Sequence, residues 1–573
     1  MFSRNLIEDL KYVFKLANKK NFLFIQLIII ITALIELTSL VSIIPFITLV
    51  LSPESIFENN LLNFIYLKFE FQNTDQFLIY CGLTTLFLFI SSTIFIIFTK
   101  YNIIKFNQNL LVSYGSYFYK NFLEMDYSFY LSESSNKIVL NLHDDLTRLT
   151  QGFIQPLMNL ISRLILISFI TIALLIYKPT ITIILISILA IAYFFIFFFF
   201  KSIVADNGRK LTNLTTIKYK LINESFNSIK DIIISRKQEF FSRYYIKIIR
   251  RISKLYLFQN IVSHFPRYLI DAICFGFIII LIIFFKIFHN NELDLILSTI
   301  TFIAFSAYKL IPAFQEIYSS LIIMKNNRNV LSNIKIMFEK NNIKIKKSKK
   351  SPKIKKIISI KNLKFTYPSR PNINIFHKSN ISIHINKSHV ITGSTGSGKT
   401  TLMEILLGLH SFSADQILFD KKPINSENYN LIKNLISYVP QNSILVDESI
   451  LSNICFAENL SDINKNNLNL ALKVSELTSF IESLPSGLET NIGDKGVKLS
   501  GGQKQRISIA RAIYQNKPFL FLDESMSALD LDTENKVLKS ILELKKTVIL
   551  ITHRKNILDK FDYKYQIKSG LIK

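Results

Sequence analysis

Every apolar run long enough to cross a bilayer in this 573-residue chain lies before residue 325. A spanning helix takes about 20 mostly apolar residues. Six windows qualify: Phe22 to Val50, Phe77 to Thr99, Gly152 to Tyr177, Pro179 to Phe200, Val262 to Phe285 and Leu295 to Ile322. The first contains Glu36, the third Arg163, the fifth Arg267 and Asp271, and the sixth Lys309 and Glu316. With 49% hydrophobic and 19% charged residues, against about 25% charged in soluble domains, a purely soluble enzyme and a disordered chain are both excluded. The first span is long and follows the polar stretch Met1 to Lys20, so it reads as a retained anchor rather than a cleaved signal.

An even number of spans puts both termini on one side. The connection Lys201 to Ile261 carries thirteen Lys/Arg against four Asp/Glu, whereas Ser52 to Gln76 carries one against four. The basic side is cytoplasmic by the positive-inside rule. Much of the net charge of +27 is therefore topology, and no nucleic-acid partner is expected. The cytoplasmic connections Lys100 to Gln151 and Lys201 to Ile261 are too long to be structureless and read as helices continuing out of the membrane. The stretch Asn59 to Phe69 reads either as a helix lying on the membrane interface or as an ordinary loop. Cys81, Cys274 and Cys455 are far apart, without metal or disulfide spacing.

The expected organisation is a membrane domain over 1–324, a basic linker over 325–356 and a soluble domain over 357–573. Lys325 to Lys356 holds twelve Lys/Arg and one acidic residue. Beyond it, short β-branched runs alternate with amphipathic helical patterns, the signature of an α/β unit.

That unit carries the chemistry. After the apolar run His389 to Thr392 comes Gly393-Ser394-Thr395-Gly396-Ser397-Gly398-Lys399-Thr400-Thr401, then a helical pattern. This is a phosphate-binding loop between a strand and a helix, its backbone N–H groups curling round phosphates at the helix N-terminus. Lys399 then reaches the β- and γ-phosphates of ATP, and Thr400 ligates Mg²⁺. The strand Phe519 to Leu522 delivers Asp523 and Glu524 to its C-terminal end. There Asp523 is placed to hold the metal shell and Glu524 to polarise the attacking water.

Between those two motifs stands Leu499-Ser500-Gly501-Gly502-Gln503, and at this point the chain resembles the ATP-binding cassette (ABC) transporters. Six spans followed by one cassette is the layout of ABC exporter half-transporters. The resemblance implies an α-helical membrane domain of six transmembrane helices with long cytoplasmic extensions, joined to an α/β P-loop nucleotide-binding domain. It implies that Tyr367 stacks on adenine, that Gln441 touches Mg²⁺ and senses the membrane domain, and that His553 sits near the γ-phosphate. Asp494 falls where the exporter loop before the signature carries glutamate. Ser500, Gly501, Gly502, Gln503 and Asp530 would act in trans, completing the ATP site of another cassette. All these residues are present, which favours a homodimer over a heterodimer with a similar half. The resemblance also implies short coupling helices, with Ser134 to Asn141 and Asn227 to Ile233 as candidates.

For the cargo, Pro266 to Ala272, Ala307 to Ala313 and Pro45 to Thr48 look like the bacterial flippases of lipid-linked oligosaccharide in protein N-glycosylation. Lys309 stands where that pattern has arginine, and Asp271 where it has glutamate. Two arrangements are open for the basic pair. Either Arg267 pairs with Asp271 one turn away and Lys309 with Glu36 or Glu316, or both line a translocation cavity and meet an anionic headgroup. The expected function is an ATP-driven exporter of the bacterial inner membrane, with cassette and termini cytoplasmic. Its expected cargo is an amphipathic anionic lipid such as a polyprenyl-linked oligosaccharide. The alternatives are a general lipid or multidrug exporter, and an ATP-gated channel or regulator.

Overall fold

The structure is a computed structural model. It describes residues 18–340 and 354–573 apart from 52, 54, 59, 178, 289–292, 368–369, 371, 411–415, 425–429, 457–458 and 494–495. Asp494 lies outside the described residues. Two compact units form: 1–125 with 133–343, and 126–132 with 344–573.

The first unit is helical. It opens with α1 (Lys19–Val41) and α2 (Ile43–Leu51), separated by a break at Ser42. The amphipathic stretch forms α3 (Asn60–Lys68). One face of it packs on Leu49, Ile56 and Phe77, while Phe64 and Leu67 stay exposed. Next come α4 (Thr74–Leu123), α6 (Ser135–Leu140) and α7 (Gln155–Tyr177), while α5 (Tyr127–Ser132) between α4 and α6 groups with the second unit. After them follow α8 (Pro179–Asn227), α9 (Ile229–Ile234), α10 (Gln238–Phe288) and α11 (Leu293–Asn326).

The expectation of helices continuing beyond the spans holds. The second, fourth and fifth long helices run to 50, 49 and 51 residues, each about 75 Å at 1.5 Å per residue. Among the described residues four segments are long and apolar enough to cross a membrane, Lys19–Val50, Thr74–Leu123, Ser135–Tyr177 and Thr182–Asn227. The helices α10 and α11 carry the charged residues of the last two predicted spans. Large side chains such as Leu23, Phe87, Ile176 and Phe199 are exposed, as expected of surfaces that face lipid.

Two features depart from the sequence reading. Part of the expected linker is helical: α12 (Arg328–Lys340) buries Val330, Leu331, Ile334, Met337 and Phe338. Phe338 packs edge-on against Phe118 at 4.9 Å. The apolar residues recur at helical spacing inside the basic run, so burial of one face outweighs its charge. The turn after α4 also differs. Asp126–Ser132, rather than Ser134 to Asn141, packs with the second unit. Ser134 instead caps α6 through the Lys137 N–H, and Asn136 pairs with Asn223, which holds that stretch in the first unit. The second candidate forms α9 and also belongs to the first unit.

The second unit holds two sheets. The smaller, ordered β2-β1-β4-β5, is antiparallel: β1 (Ile357–Phe365), β2 (Phe376–His384), β4 (Ile417–Phe419) and β5 (Lys422–Pro423). The larger is ordered β10-β9-β3-β8-β7-β6: β3 (Ser388–Gly393), β6 (Ile436–Val439), β7 (Phe519–Asp523), β8 (Thr547–Ile551), β9 (Tyr563–Lys568) and β10 (Leu571–Ile572). From β9 to β6 its strands are parallel, and β7 and β8 are buried along their whole length. Such sheets place ligands beyond the C-terminal ends of their strands, where the loops after β3, β7 and β8 lie. Helices α13 (Lys399–Leu406), α14 (Ile450–Cys455), α15 (Lys465–Val474), α16 (Gly501–Tyr514) and α17 (Leu531–Glu543) complete it.

Candidate active site

The loop from Gly393 to Thr400 turns sharply because two glycines take conformations closed to other residues. Gly396 has φ +78° and Gly398 φ +101°. A Cβ on Gly398 would also lie 2.9 Å from Ile375. This turn starts α13, whose first N–H groups have no partner within the helix and point toward an anion. Lys399 is buried and donates to the carbonyls of Gly393 and Ser394, both at 3.0 Å. Burial pushes its ammonium down, while Glu524 and Asp523 pull it back up. The Ser397 hydroxyl is buried without a hydrogen-bond partner among the described residues, a donor left for a ligand.

Across from that loop, β7 ends in Asp523 and Glu524. Burial, then the neighbouring Glu524, pushes the Asp523 carboxyl up to about 6, and Tyr438 donates to it at 3.5 Å. Glu524 has the left-handed φ of 45°, which turns its side chain out of the strand direction. One carboxylate oxygen accepts from Gln441 at 2.8 Å, and the other lies 2.8 Å from Nε2 of His553. Residues from three strand ends, β6, β7 and β8, thus meet at one carboxylate. Two adjacent acids form a negative site. With the exposed Thr400 and the Gln441 amide, they make an all-oxygen donor set that suits Mg²⁺.

Tyr367 is half-buried, its hydroxyl 3.0 Å from Thr401 Oγ1 and donating to Glu404 at 3.0 Å. The sequence reading missed Glu404; an acidic residue within the helix after a phosphate loop was its only signal.

The signature residues serve locally in this chain. Ser500 and Gln503 form a capping box at the start of α16, with Gly501 and Gly502 following. A Cβ on Gly502 would lie 3.1 Å from the Ala528 carbonyl. Gln505 holds Ser527 and the Ala528 N–H, and Asp530 caps α17 through Thr533. Gln505 therefore ties the signature helix to the Ser527 and Ala528 segment.

In the membrane domain the two basic residues part company. Lys309 lies 3.9 Å from Glu36, inside a cluster centred on Arg163, which sits 2.5 Å from Glu316 and 3.8 Å from Glu36. Arg267 lies 3.8 Å from Asp271, yet its side chain is 56% exposed. It lines a cavity of about 480 Å³ with Asp271, Phe275, Phe305, Tyr308 and Pro312. Lys309 is not part of that lining.

The phosphate loop, the acidic strand end and the signature helix define an ATP-binding domain of the ABC transporter class. Residues 376–527, within the second unit, match the ABC transporter family. The whole chain has the fold of an ABC exporter with membrane domain and cassette in one polypeptide. It superposes on a bacterial Atm1-family ABC exporter solved with ATP bound at a TM-score of 0.78, with 16% sequence identity over 97% of this chain and 95% of that one. Among relatives, an export ATP-binding/permease protein of Rickettsia bellii is 32% identical over 61% of each chain. A protein of the same description from Rickettsia typhi is 40% identical over 38% of this chain and 37% of its own. An ATP-dependent lipid A-core flippase of Pectobacterium atrosepticum is 33% identical over 38% and 37%. The matched stretches span less than two thirds of these relatives' length.

Proposed function

We propose that the chain is an ATP-driven exporter of the bacterial inner membrane, working as a homodimer and moving an amphipathic anionic lipid. The observation that carries this reading is the double hold on Glu524 by Gln441 and His553. A carboxylate fixed from both sides at the end of β7 is built to accept a proton in one direction. A protein that only bound nucleotide has no use for it, which disfavours an ATP-gated channel or regulator.

In the hydrolytic step Lys399 leaves the loop carbonyls for the β- and γ-phosphates. Mg²⁺, held by Thr400, Gln441 and Asp523, would supply charge neutralisation on those phosphates. Glu524 takes the proton of the attacking water, and His553 and Gln441 keep its carboxylate from rotating away. The exposed N-terminus of α16, with Ser500, Gly501 and Gly502, offers backbone N–H groups to a triphosphate bound on a second copy. Its attachment to Ser527 and Ala528 through Gln505 supports that role, and the competent residues in one chain support two equal sites.

For the cargo, Arg267 beside aromatic walls suits an anionic headgroup on an apolar chain. A polyprenyl-linked oligosaccharide is the first cargo to test, and the name of the lipid A-core flippase relative supports the lipid class. The second reading, a general lipid or multidrug exporter, is favoured by Asp271, whose carboxylate offsets the Arg267 charge. The excess of basic residues on the cytoplasmic connections supports a cytoplasmic cassette.

The test is ATP-dependent flipping of a labelled polyprenyl-pyrophosphate oligosaccharide in proteoliposomes by wild type, Glu524→Gln and Arg267→Ala. Flipping by wild type alone is the expected result. ATPase activity without flipping would discard the glycan cargo, and passive movement in Glu524→Gln would favour the channel.

A further inference from the structure

Helix α13 carries a carboxylate that the hydrolytic chemistry does not use. Glu404 lies five residues beyond Lys399 on the helix whose N-terminus takes the triphosphate, where another negative charge works against nucleotide binding. Three donors hold it. Tyr127 donates to Oε1 at 3.2 Å, Tyr367 donates to Oε2 at 3.0 Å, and His410 Nε2 lies 2.8 Å from the same Oε2. The side chain of Glu404 is 16% exposed and that of His410 is 4% exposed.

The rings close round this carboxylate. Tyr127 and Tyr367 both present edges to His410, at 5.8 and 5.4 Å, and Phe365 meets it at 4.8 Å. Burial alone would raise the Glu404 carboxyl, but the hydrogen bonds from His410, Tyr367 and Tyr127 outweigh it and hold the group below the usual range. The acceptor therefore stays ionised around neutral pH.

Tyr127 and Tyr367 come from different places. Tyr367 follows β1 in the cassette, whereas Tyr127 belongs to the turn 126–132, which lies between two membrane-domain helices in sequence and packs with the cassette. One carboxylate therefore links the intracellular turn to the ring assigned to adenine.

We propose that Glu404 is a positioning residue that makes the adenine-facing ring of Tyr367 answer to the seating of the turn carrying Tyr127. With Tyr127 on Oε1, the carboxylate plane is fixed and Oε2 is aimed at Tyr367. Without it the carboxylate turns freely, and the Tyr367 ring loses the anchor that presets it for stacking. Base affinity then reports the seating of the turn, while phosphate affinity does not. The proposal rests on the reading of Tyr367 as the adenine platform.

The experiment compares ATP with inorganic tripolyphosphate, both with Mg²⁺, on the full-length protein in nanodiscs, by calorimetry and steady-state kinetics. Tyr127→Phe and Glu404→Gln each raise the Kd for ATP about three- to tenfold, the scale of one hydrogen bond's net contribution. The Kd for tripolyphosphate does not move, and the kinetic effect falls on KM rather than kcat. The double variant is no worse than the weaker single one, because both changes cut one path. Unchanged ATP affinity in Tyr127→Phe, which removes a single oxygen atom, would overturn the proposal. Equal losses for ATP and tripolyphosphate would also overturn it, placing Glu404 in the support of the phosphate loop. Tyr367→Ala separates the underlying reading: if it leaves ATP affinity intact, Tyr367 is not the adenine platform and the proposal falls with that assignment.

Discussion

Nε2 of His553 lies 2.8 Å from Oε1 of Glu524, on the carboxylate oxygen opposite the one that Gln441 holds. The two holders come from loops after β8 and β6, on either side of β7. Their removal should therefore degrade orientation without deleting the base. Glu524→Gln is expected to lower kcat by about 10²- to 10⁴-fold while ATP still binds. His553→Ala and Gln441→Ala should each cost roughly 10- to 100-fold. Single-turnover hydrolysis with a nucleotide-binding control checks the order; a holder variant worse than Glu524→Gln would refute it.

The membrane-domain arginines separate stability from transport. Arg163 serves two carboxylates, of which Glu36 is 5% exposed, so Arg163→Ala leaves Glu316 without its partner and Glu36 with Lys309 alone, and should destabilise by about 3–5 kcal/mol. Arg267 is more than half exposed and loosely paired, and Arg267→Ala should cost less than about 1 kcal/mol while impairing cargo-stimulated ATPase activity. Thermal unfolding in detergent, run beside the transport assay, distinguishes the two.

Three glycines in long helices should behave differently when given a methyl group. A Cβ on Gly208 would lie 2.0 Å from the Asn326 carbonyl, which is backbone and cannot swing aside. One on Gly152 would lie 2.5 Å from the Asn327 side chain, whose Oδ1 accepts from Arg148 at 2.9 Å. Gly115 has nothing within 4 Å. Gly208→Ala should be the most damaging and Gly152→Ala intermediate. Gly115→Ala should stabilise by about 0.5–1 kcal/mol through helix propensity. Melting temperatures of the three variants test the ranking.

His389 makes the cassette sensitive to acid. Fully buried, it shares its Nε2 with the backbone of His384, and its Nδ1 has no partner among the described residues. Burial pushes its imidazole down to about 4 from 6.5. The unfolded chain takes up the proton first, so the stability is fully present above pH 6.5 and is lost as pH falls toward 4. The loss reaches up to about 3 kcal/mol. Unfolding followed from pH 4 to 8 should show a shallower slope in His389→Leu than in wild type; parallel slopes would exclude His389 as the source.

The phosphate loop, the acidic strand end and the signature were legible because their chemistry demands particular residues at adjacent positions. The helical extensions were legible from length and the lack of breakers. What escaped were relations set by tertiary packing. Tyr127 carries no local mark of docking, since its partners Glu404 and His410 lie more than 270 positions away. The helix Arg328–Lys340 was hidden because its basic residues obscured an apolar stripe of five. Arg163 gave no sign of being the hub between Glu36 and Glu316, because a lone charge in an apolar run does not name its partners. The sequence order alone does not bring Gln441 and His553 to Glu524; that needed the strand order β8-β7-β6.

The long helices differ in mechanical character. Neither Thr74–Leu123 nor Pro179–Asn227 has a proline beyond its first residue, and each runs as an unjointed rod. Gln238–Phe288 and Leu293–Asn326 instead carry Pro266 and Pro312 in their interiors, where the missing N–H and the ring loosen the helical ladder. Gln315 ties these two limbs together by donating to the Ser263 carbonyl at 2.6 Å. Pro312 lines the Arg267 cavity, and Pro266 is the neighbour of Arg267 itself. The cavity thus lies where the ladders of both proline-bearing helices lack a hydrogen bond, while the two proline-free helices keep theirs unbroken.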